Sequence, residues 1–263
     1  MSIAAVAVVV PAHNEEDRIV ECLRSIRAAA PQVAPLLVET VVVADACTDA
    51  TAALAAGEGA HVVEIDRHNV GAARGAGALR ALELLRGAEP DIWLAMTDAD
   101  STVPARWLAR QTAWARRGHD AVLGTIRLAP AGRTGHRYAR SRHDAAYYRT
   151  RPPSGAAMPW EHPHVHGANM GVAATAYLRV GGFAPLTTGE DRDLVARLAA
   201  TGHRIARTDD HPVHTADRLS GRAPGGLADL LASLERPTGP CAKPTLAPET
   251  AAPRPAIPYA CDR

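Results

Sequence analysis

Short aliphatic runs alternating with amphipathic stretches predict an α/β chain, a mostly parallel sheet flanked by helices. Three observations carry this expectation. The aliphatic runs are continuous rather than alternating, as in strands buried on both faces. Polar clusters follow the first four runs at their carboxyl ends. The intervening stretches repeat apolar residues at helical spacing. Residues 4–10 read as the first strand, and residues 15–29 as a helix with Ile19, Cys22, Leu23 and Ile26 on one face. Residues 36–44 are the second strand, 48–56 a helix with Thr48 or Asp49 near its cap, and 61–65 the third strand. A helix over 70–85 leads to a fourth strand at 92–96. Residues 104–117 open with Pro104, which a first helical turn tolerates, and 121–126 form a fifth strand.

The periodicity then breaks. Residues 127–163 are rich in Arg, His, Tyr, Gly and Pro, and read as an irregular insertion of the kind that carries specificity. Regular structure returns at 164–172, at 174–180 and in a helix over 191–200, while 237–263 is proline-rich and expected to be a disordered tail. One domain over 1–236, with halves meeting at 126/127, is the simplest division of 263 residues.

Composition narrows the function classes. A net charge of +1 offers no global attraction to nucleic acid or to a membrane surface. The amino-terminal apolar run lacks a basic flank and soon meets Pro11 and charged residues, so it is read as a strand and not as a signal or a membrane span. Cys22, Cys47, Cys241 and Cys261 show no paired spacing, and the expectation is reduced thiols in a cytoplasmic protein.

The most informative stretch is Trp93-Leu94-Ala95-Met96-Thr97-Asp98-Ala99-Asp100. A buried strand ends in two carboxylates one residue apart, and in an extended segment such side chains share a direction. The carboxyl edge of an open α/β sheet is where ligands bind. Oxygen ligands there suit Mg²⁺ or Mn²⁺, which complete their shells with water and substrate phosphate.

Further clusters appear in a fixed order: Pro11-Ala12-His13-Asn14-Glu15 after the first strand, Asp45-Ala46-Cys47-Thr48-Asp49 after the second, and Asn69-Val70-Gly71-Ala72-Ala73-Arg74 after the third. Beyond Asp98 and Asp100 come Gly167-Ala168-Asn169-Met170-Gly171 and Gly189-Glu190-Asp191. This ordered set resembles the family 2 glycosyltransferases, enzymes of the GT-A fold, over roughly residues 4–215. The resemblance implies a metal-dependent transferase that moves a hexosyl unit from a UDP- or GDP-linked sugar to an acceptor hydroxyl. It places the nucleotide in the half before 127 and the acceptor in the half after it.

Carried over residue by residue, the resemblance puts Pro11, Ala12, His13 and Glu15 at the nucleoside, with Glu15 at the ribose, and Asp45 at the base. The usual Asp-Asp-Gly-Ser form is here Ala44-Asp45-Ala46-Cys47, so one of two acids is missing. Asp49 reads as a helix-cap or structural residue. Gly71 and Arg74 open a helix whose amino end suits an anion, with Arg74 at diphosphate or base, or else a surface arginine. Asp98 and Ala99 line the donor site, Asp100 is the main metal ligand with Asp98 assisting, and His214, with His211 as its rival, completes the metal set. Asn169 lines the sugar and acceptor pocket. Glu190 and Asp191 match the catalytic pair, Asp191 being the general base of inverting members; capping of the following helix is the competing role.

His162, His164 and His166 alternate, a spacing open to zinc or to solvated, acceptor-contacting histidines. Arg137, Arg140 and Arg142 suit an acidic or phosphorylated acceptor. The segment 218–226 is either a basic flap over diphosphate or a solvated loop. A retaining transferase and a non-catalytic nucleotide-sugar-binding protein remain the alternative functions.

Overall fold

A computed structural model describes residues 2–88, 91–129, 136–153, 160–221 and 226–235. The described strands form one sheet in the order β3-β2-β1-β4-β7-β6-β8-β5. At its centre β1 (Ala5–Ala12) lies parallel to both β2 (Leu37–Asp45) and β4 (Ile92–Met96), and β3 (His61–Ile65) continues the parallel half beside β2. Successive residues of β1 and β4 are buried, so both faces of the sheet are covered there. α3 (Val70–Leu84) packs on β1 and β2, while α1 (Ile19–Ala29) meets α2 (Thr51–Gly57) and α4 (Trp107–Arg116). Val8, Val9, Val42, Leu94 and Met96 belong to one continuous core with these helices.

Past β4 the sheet becomes mixed. β7 (Met170–Ala173) runs antiparallel to β4 and to β6 (Ala121–Leu128), β8 (Ile205–Thr215) lies parallel to β6, and β5 (Ser101–Thr102) runs against the end of β8. The register of β6 and β8 slips between Gly124 and Ile126. Asn169 fills the gap, donating from Nδ2 to the carbonyls of Thr125 at 2.8 Å and His211 at 3.0 Å.

Several expectations change. The first helix begins at Ile19, not at 15, because residues 14–16 are engaged across the sheet edge: Asn14 accepts from the Thr48 amide at 2.7 Å and the Glu15 amide donates to Thr51 Oγ1 at 2.7 Å. The second helix starts at Thr51, whose amide donates to Asp49 Oδ1 at 3.0 Å. The supposed irregular insertion contains α5 (Arg137–Tyr147), packed against α8 (Leu227–Glu235) through Ala139 and Leu231. Residues 164–172 are not one regular element but a short 3-10 turn, Gly167–Asn169, followed by β7. α6 (Ala174–Arg179) and α7 (Glu190–Ala200) follow. β6 runs through the supposed boundary at 126/127, so the sheet does not divide there. The proline-rich tail from 237 lies outside the described residues.

Candidate active site

The carboxyl ends of β1, β2 and β3 build the first wall of the site. Pro11 and Ala12 close β1, paired with Val43 and Ala44. The His13 ring donates from Nδ1 to the Asp45 carbonyl at 2.6 Å, leaving Nε2 as an acceptor. Among the described residues, three other than glycine sit at positive φ: Asn14 at 52°, Ala46 at 52° and His68 at 46°. Strained backbone of this kind collects at functional sites. Ala46, Cys47, Thr48, Ile65, Asp66 and His68 line a cleft of ≈ 540 Å³ beside these turns. Asp45 is buried, and its carboxylate accepts the amides of Arg67 at 2.7 Å, His68 at 3.0 Å and Asn69 at 2.7 Å. It therefore shapes the cleft by fixing a turn.

Arg74 is the hub of the site. Its side chain is only 3% exposed, which overturns the surface reading. Nε donates to Glu190 at 3.0 Å, Nη1 to the Gly167 carbonyl at 3.1 Å and Nη2 to Asp98 at 2.6 Å. With each nitrogen so engaged, Arg74 joins two acids and a backbone carbonyl from three segments of the chain. Burial opposes its charge, but Asp98 and Glu190 outweigh it. Asp98 is pushed up to about 6, chiefly by burial, with Arg74 pulling it down and Asp100 adding to the rise. Gly167 must lack a side chain, since a Cβ would lie 2.3 Å from Arg74 Nη2. Its amide donates to Asp191 Oδ2 at 2.9 Å, which aims that carboxylate at the same centre. Gly189, and not a side chain, occupies the N-cap of α7.

Asp100 faces a second arginine, Arg218, the first residue of the segment expected to be either a basic flap or a solvated loop. Arg218 Nη2 donates to Asp100 Oδ2 and, at 2.7 Å, to Glu15 Oε1. Thr215 Oγ1 approaches Asp100 Oδ1 at 3.4 Å. Ala99, between the two aspartates, is buried. Among the described residues no group of three His, Cys, Asp or Glu is gathered around one point. The donors nonetheless fit a hard cation: oxygen-only carboxylates at an edge where the guanidinium of Arg218 already stands as a positive group, with phosphate and water left to complete the shell.

Four sequence assignments leave the site. Thr215, not His214, meets Asp100, and alternation along β8 sends His214 to the other face. His211 is buried with Nδ1 on Asp210 and its carbonyl on Asn169 at the β6 slip, four residues back along β8 from the Thr215 that meets Asp100, roughly 13 Å in an extended strand. Asn169 is fully buried; Trp107 donates to its Oδ1 at 2.8 Å, and Nδ2 holds the β6 slip, so no group remains for sugar. Gly71 lies under the chain at 184–186, where a Cβ would come within 2.2 Å of the Ala184 carbonyl oxygen. Asn69 caps α3 there, accepting from Ala72 and donating to Pro185, so the helix end is covered and does not offer an open anion site.

The alternating histidines form neither a zinc centre nor a solvated row. His162 donates to the Leu123 carbonyl at 3.0 Å, and His164 stacks on Tyr147 with centroids 3.8 Å apart. The Ile126 amide donates to Tyr147 Oη at 3.1 Å, and the same Oη shares a hydrogen bond with His166 Nε2, 3.0 Å away. Burial, reinforced by His164 and His162, drives His166 down to about 3. Arg140 is structural too, donating to the Leu128 carbonyl and to Asp217 at 2.9 Å, and Arg142 lies over Tyr138. Of the segment 218–226, residues 222–225 lie outside the described residues.

Residues 7–178 match the model of glycosyl transferase family 2, well over half of the chain, and the chain belongs to that family. No curated protein sequence matches it significantly. Three solved structures show the same fold. TarS 1-349 of S. aureus in complex with UDP superposes with a TM-score of 0.57 at 16% identity, covering 82% of this chain and 61% of its own. Mannosyltransferase PcManGT from Pyrobaculum calidifontis, in complex with GDP-Man and Mn²⁺, gives 0.58 at 23% identity over 84% of this chain and 59% of its own. GalNAc-T7 with UDP, GalNAc and Mn²⁺ gives 0.58 at 15% identity over 88% and 48%. The chain thus spans about three fifths of the first two. Their common architecture, the GT-A fold, is the one expected from the ordered motifs. Among the described residues no helix is long and apolar enough to cross a membrane.

Proposed function

We propose that this family 2 member transfers a hexosyl unit from a UDP- or GDP-linked sugar to an acceptor hydroxyl, with inversion at the anomeric carbon. One observation carries the reading: Arg74 draws Asp98, Glu190 and the Gly167 turn that orients Asp191 to a single edge of the sheet. A donor-binding pair and a candidate base are thereby brought together from distant parts of the chain. The cleft lined by Ala46, Cys47, Thr48 and His68 takes the nucleoside, with Pro11, Ala12 and His13 on the adjoining turn and Glu15 assigned to the ribose.

Asp100, with Asp98 beside it, would hold Mg²⁺ or Mn²⁺, whose charge offsets that of a departing diphosphate. Asp191 accepts the acceptor proton as the hydroxyl oxygen bonds to the anomeric carbon, and the bond from that carbon to diphosphate oxygen breaks with its electrons on the leaving group. Glu190 keeps Arg74 in place, and Arg74 in turn positions Asp98. The bound nucleotides and Mn²⁺ of the similar structures support this chemistry by analogy of fold.

A thermal-shift series with UDP- and GDP-sugars, with and without Mn²⁺, tests the donor. A Mn²⁺-dependent rise that Asp100→Ala removes is expected. Asp191→Asn should keep that rise while donor consumption falls by roughly 10²–10⁴-fold, the usual effect of a positioned base. Absence of any shift with either nucleotide class, or a product of retained configuration, overturns the donor or the mechanism respectively.

A further inference from the structure

We infer that Arg218 is a built-in placeholder for the divalent cation at Asp100, so that the guanidinium and the metal occupy the same carboxylate in turn. The inference rests on the metal-dependent transfer proposed above. Arg218 donates to Asp100 Oδ2 and to Glu15 Oε1 through a single nitrogen, Nη2. The other oxygen of Asp100 is within reach of Ser101 Oγ at 3.3 Å and Thr215 Oγ1 at 3.4 Å. An Mg²⁺ or Mn²⁺ ion needs a carboxylate oxygen at about 2.0–2.2 Å. A guanidinium nitrogen on that same oxygen blocks the approach sterically and repels the ion.

The two arginines of the site differ in their freedom to move. Arg74 is sealed, with three nitrogens on three partners. The Arg218 side chain is 31% exposed and follows Asp217, which Arg140 anchors at 2.9 Å. Its backbone base is therefore held while the side chain has solvent to swing into. A guanidinium stays charged throughout the working pH range, so it remains a competing cation. Two cations competing for one oxygen must weaken each other's binding reciprocally. A metal arriving alone thus meets a neutralised carboxylate, whereas one arriving with a diphosphate brings ligands that help to displace Arg218. The arrangement makes metal binding depend on nucleotide.

Electron paramagnetic resonance of Mn²⁺ added to the full chain without nucleotide reads this directly. Arg218→Met should bind Mn²⁺ about 5- to 100-fold more tightly than the parent, the range of ordinary coupling between two ligands. Adding UDP or GDP should then improve Mn²⁺ affinity less in the variant than in the parent. In the unmodified protein labelled with ¹⁵N-arginine, the Arg218 Nε–H signal should shift as Mg²⁺ is added, which keeps the test open if the variant misfolds. Unchanged Mn²⁺ affinity in Arg218→Met, or an Arg218 signal indifferent to Mg²⁺, overturns the placeholder. Asp100→Ala separates the two levels. If it leaves Mn²⁺ binding with nucleotide intact, the metal assignment itself fails; if it abolishes binding while Arg218→Met changes nothing, only the placeholder fails.

Discussion

The turns after β1–β3 and the layer between α5 and residues 160–169 border the same site but are held by opposite chemistry. In the first, short polar side chains bind backbone amides a few tens of residues away: Asn14 on Thr48, Asp49 on Glu16, and Asp45 on three successive amides. In the second, rings meet rings, Tyr147 stacking on His164 and His143 and meeting Trp160 edge-on, and arginines reach carbonyls. A turn stitched by carboxylates demands particular residues at fixed spacing. A stacked layer demands only that bulky rings meet, and many sequences satisfy that. Arg74 is the joint between the two regions, since it stands on α3, which opens from the turn after β3, and binds the Gly167 turn on the other side.

Breaking the joint should have the largest effect. Arg74→Met leaves Glu190 and Asp98 without their cation in a poorly hydrated site, a change that typically costs about 3–5 kcal/mol. Urea unfolding should report that loss, and Arg74→Lys should recover only part of it, because an ammonium cannot meet three separately placed acceptors. A loss below about 1 kcal/mol would mean that the two regions stand without Arg74.

A matched pair of milder substitutions then tests whether the regions work separately. Asp45→Asn replaces one acceptor oxygen with an amide that faces a backbone N–H, at a cost of about 1.5–3 kcal/mol. Tyr147→Phe preserves the stack but strands the Ile126 amide, at about 1–3 kcal/mol. Stability falls in both. Calorimetric titration with UDP and GDP should distinguish them, with nucleotide affinity falling in Asp45→Asn and unchanged in Tyr147→Phe. Equal loss in both would dissolve the distinction.

The same contrast explains what could be read from the sequence. The parallel half was legible because β1, β2 and β4 are unbroken aliphatic runs, and the turns because their acids sit at strand ends. The mixed half was not: β8 carries Thr208, Asp209, Asp210 and His211 in mid-strand, which hides its period, and α5 has too few aliphatic residues to show a face. Asn169 fits a motif in sequence, yet its role depends on Trp107, Thr125 and His211, which no spacing connects to it. Arg218 opens the basic segment 218–226, but nothing in its spacing connects it to Asp100 and Glu15, more than a hundred residues earlier.

Acid should separate the regions again. The ring layer holds His162, His164 and His166 below their ordinary 6.5, with burial the leading cause for each. Below pH 6.5 the unfolded chain takes up protons that the folded layer refuses, so stability falls as pH falls, over a window reaching about 3 for His166. Melting temperature should drop between pH 7 and pH 4.5. In His166→Gln, which can still hydrogen-bond to Tyr147, the drop should be shallower. An identical pH profile would place the acid sensitivity elsewhere.

The smallest expected effect is a gain. Among the described residues, positive φ outside glycine occurs only at Asn14, Ala46 and His68, all in the stitched region, whereas the turns after residue 180 use Gly181, Gly182, Gly189 and Gly202. Asparagine tolerates this conformation well; alanine pays a Cβ clash of roughly 1–2 kcal/mol. Ala46→Gly removes the clash and adds about 0.5–1 kcal/mol of unfolded-chain entropy, leaving a net stabilisation of about 0.5–1 kcal/mol. The Ala46 amide still donates to the Ile65 carbonyl, 2.7 Å away, so the turn keeps its shape. Nucleotide affinity should stay constant while the melting temperature rises slightly. If affinity falls with the gain in stability, the strain at Ala46 is holding the cleft in its binding form, and the stitched region is a tensed scaffold instead of a merely well-paired one.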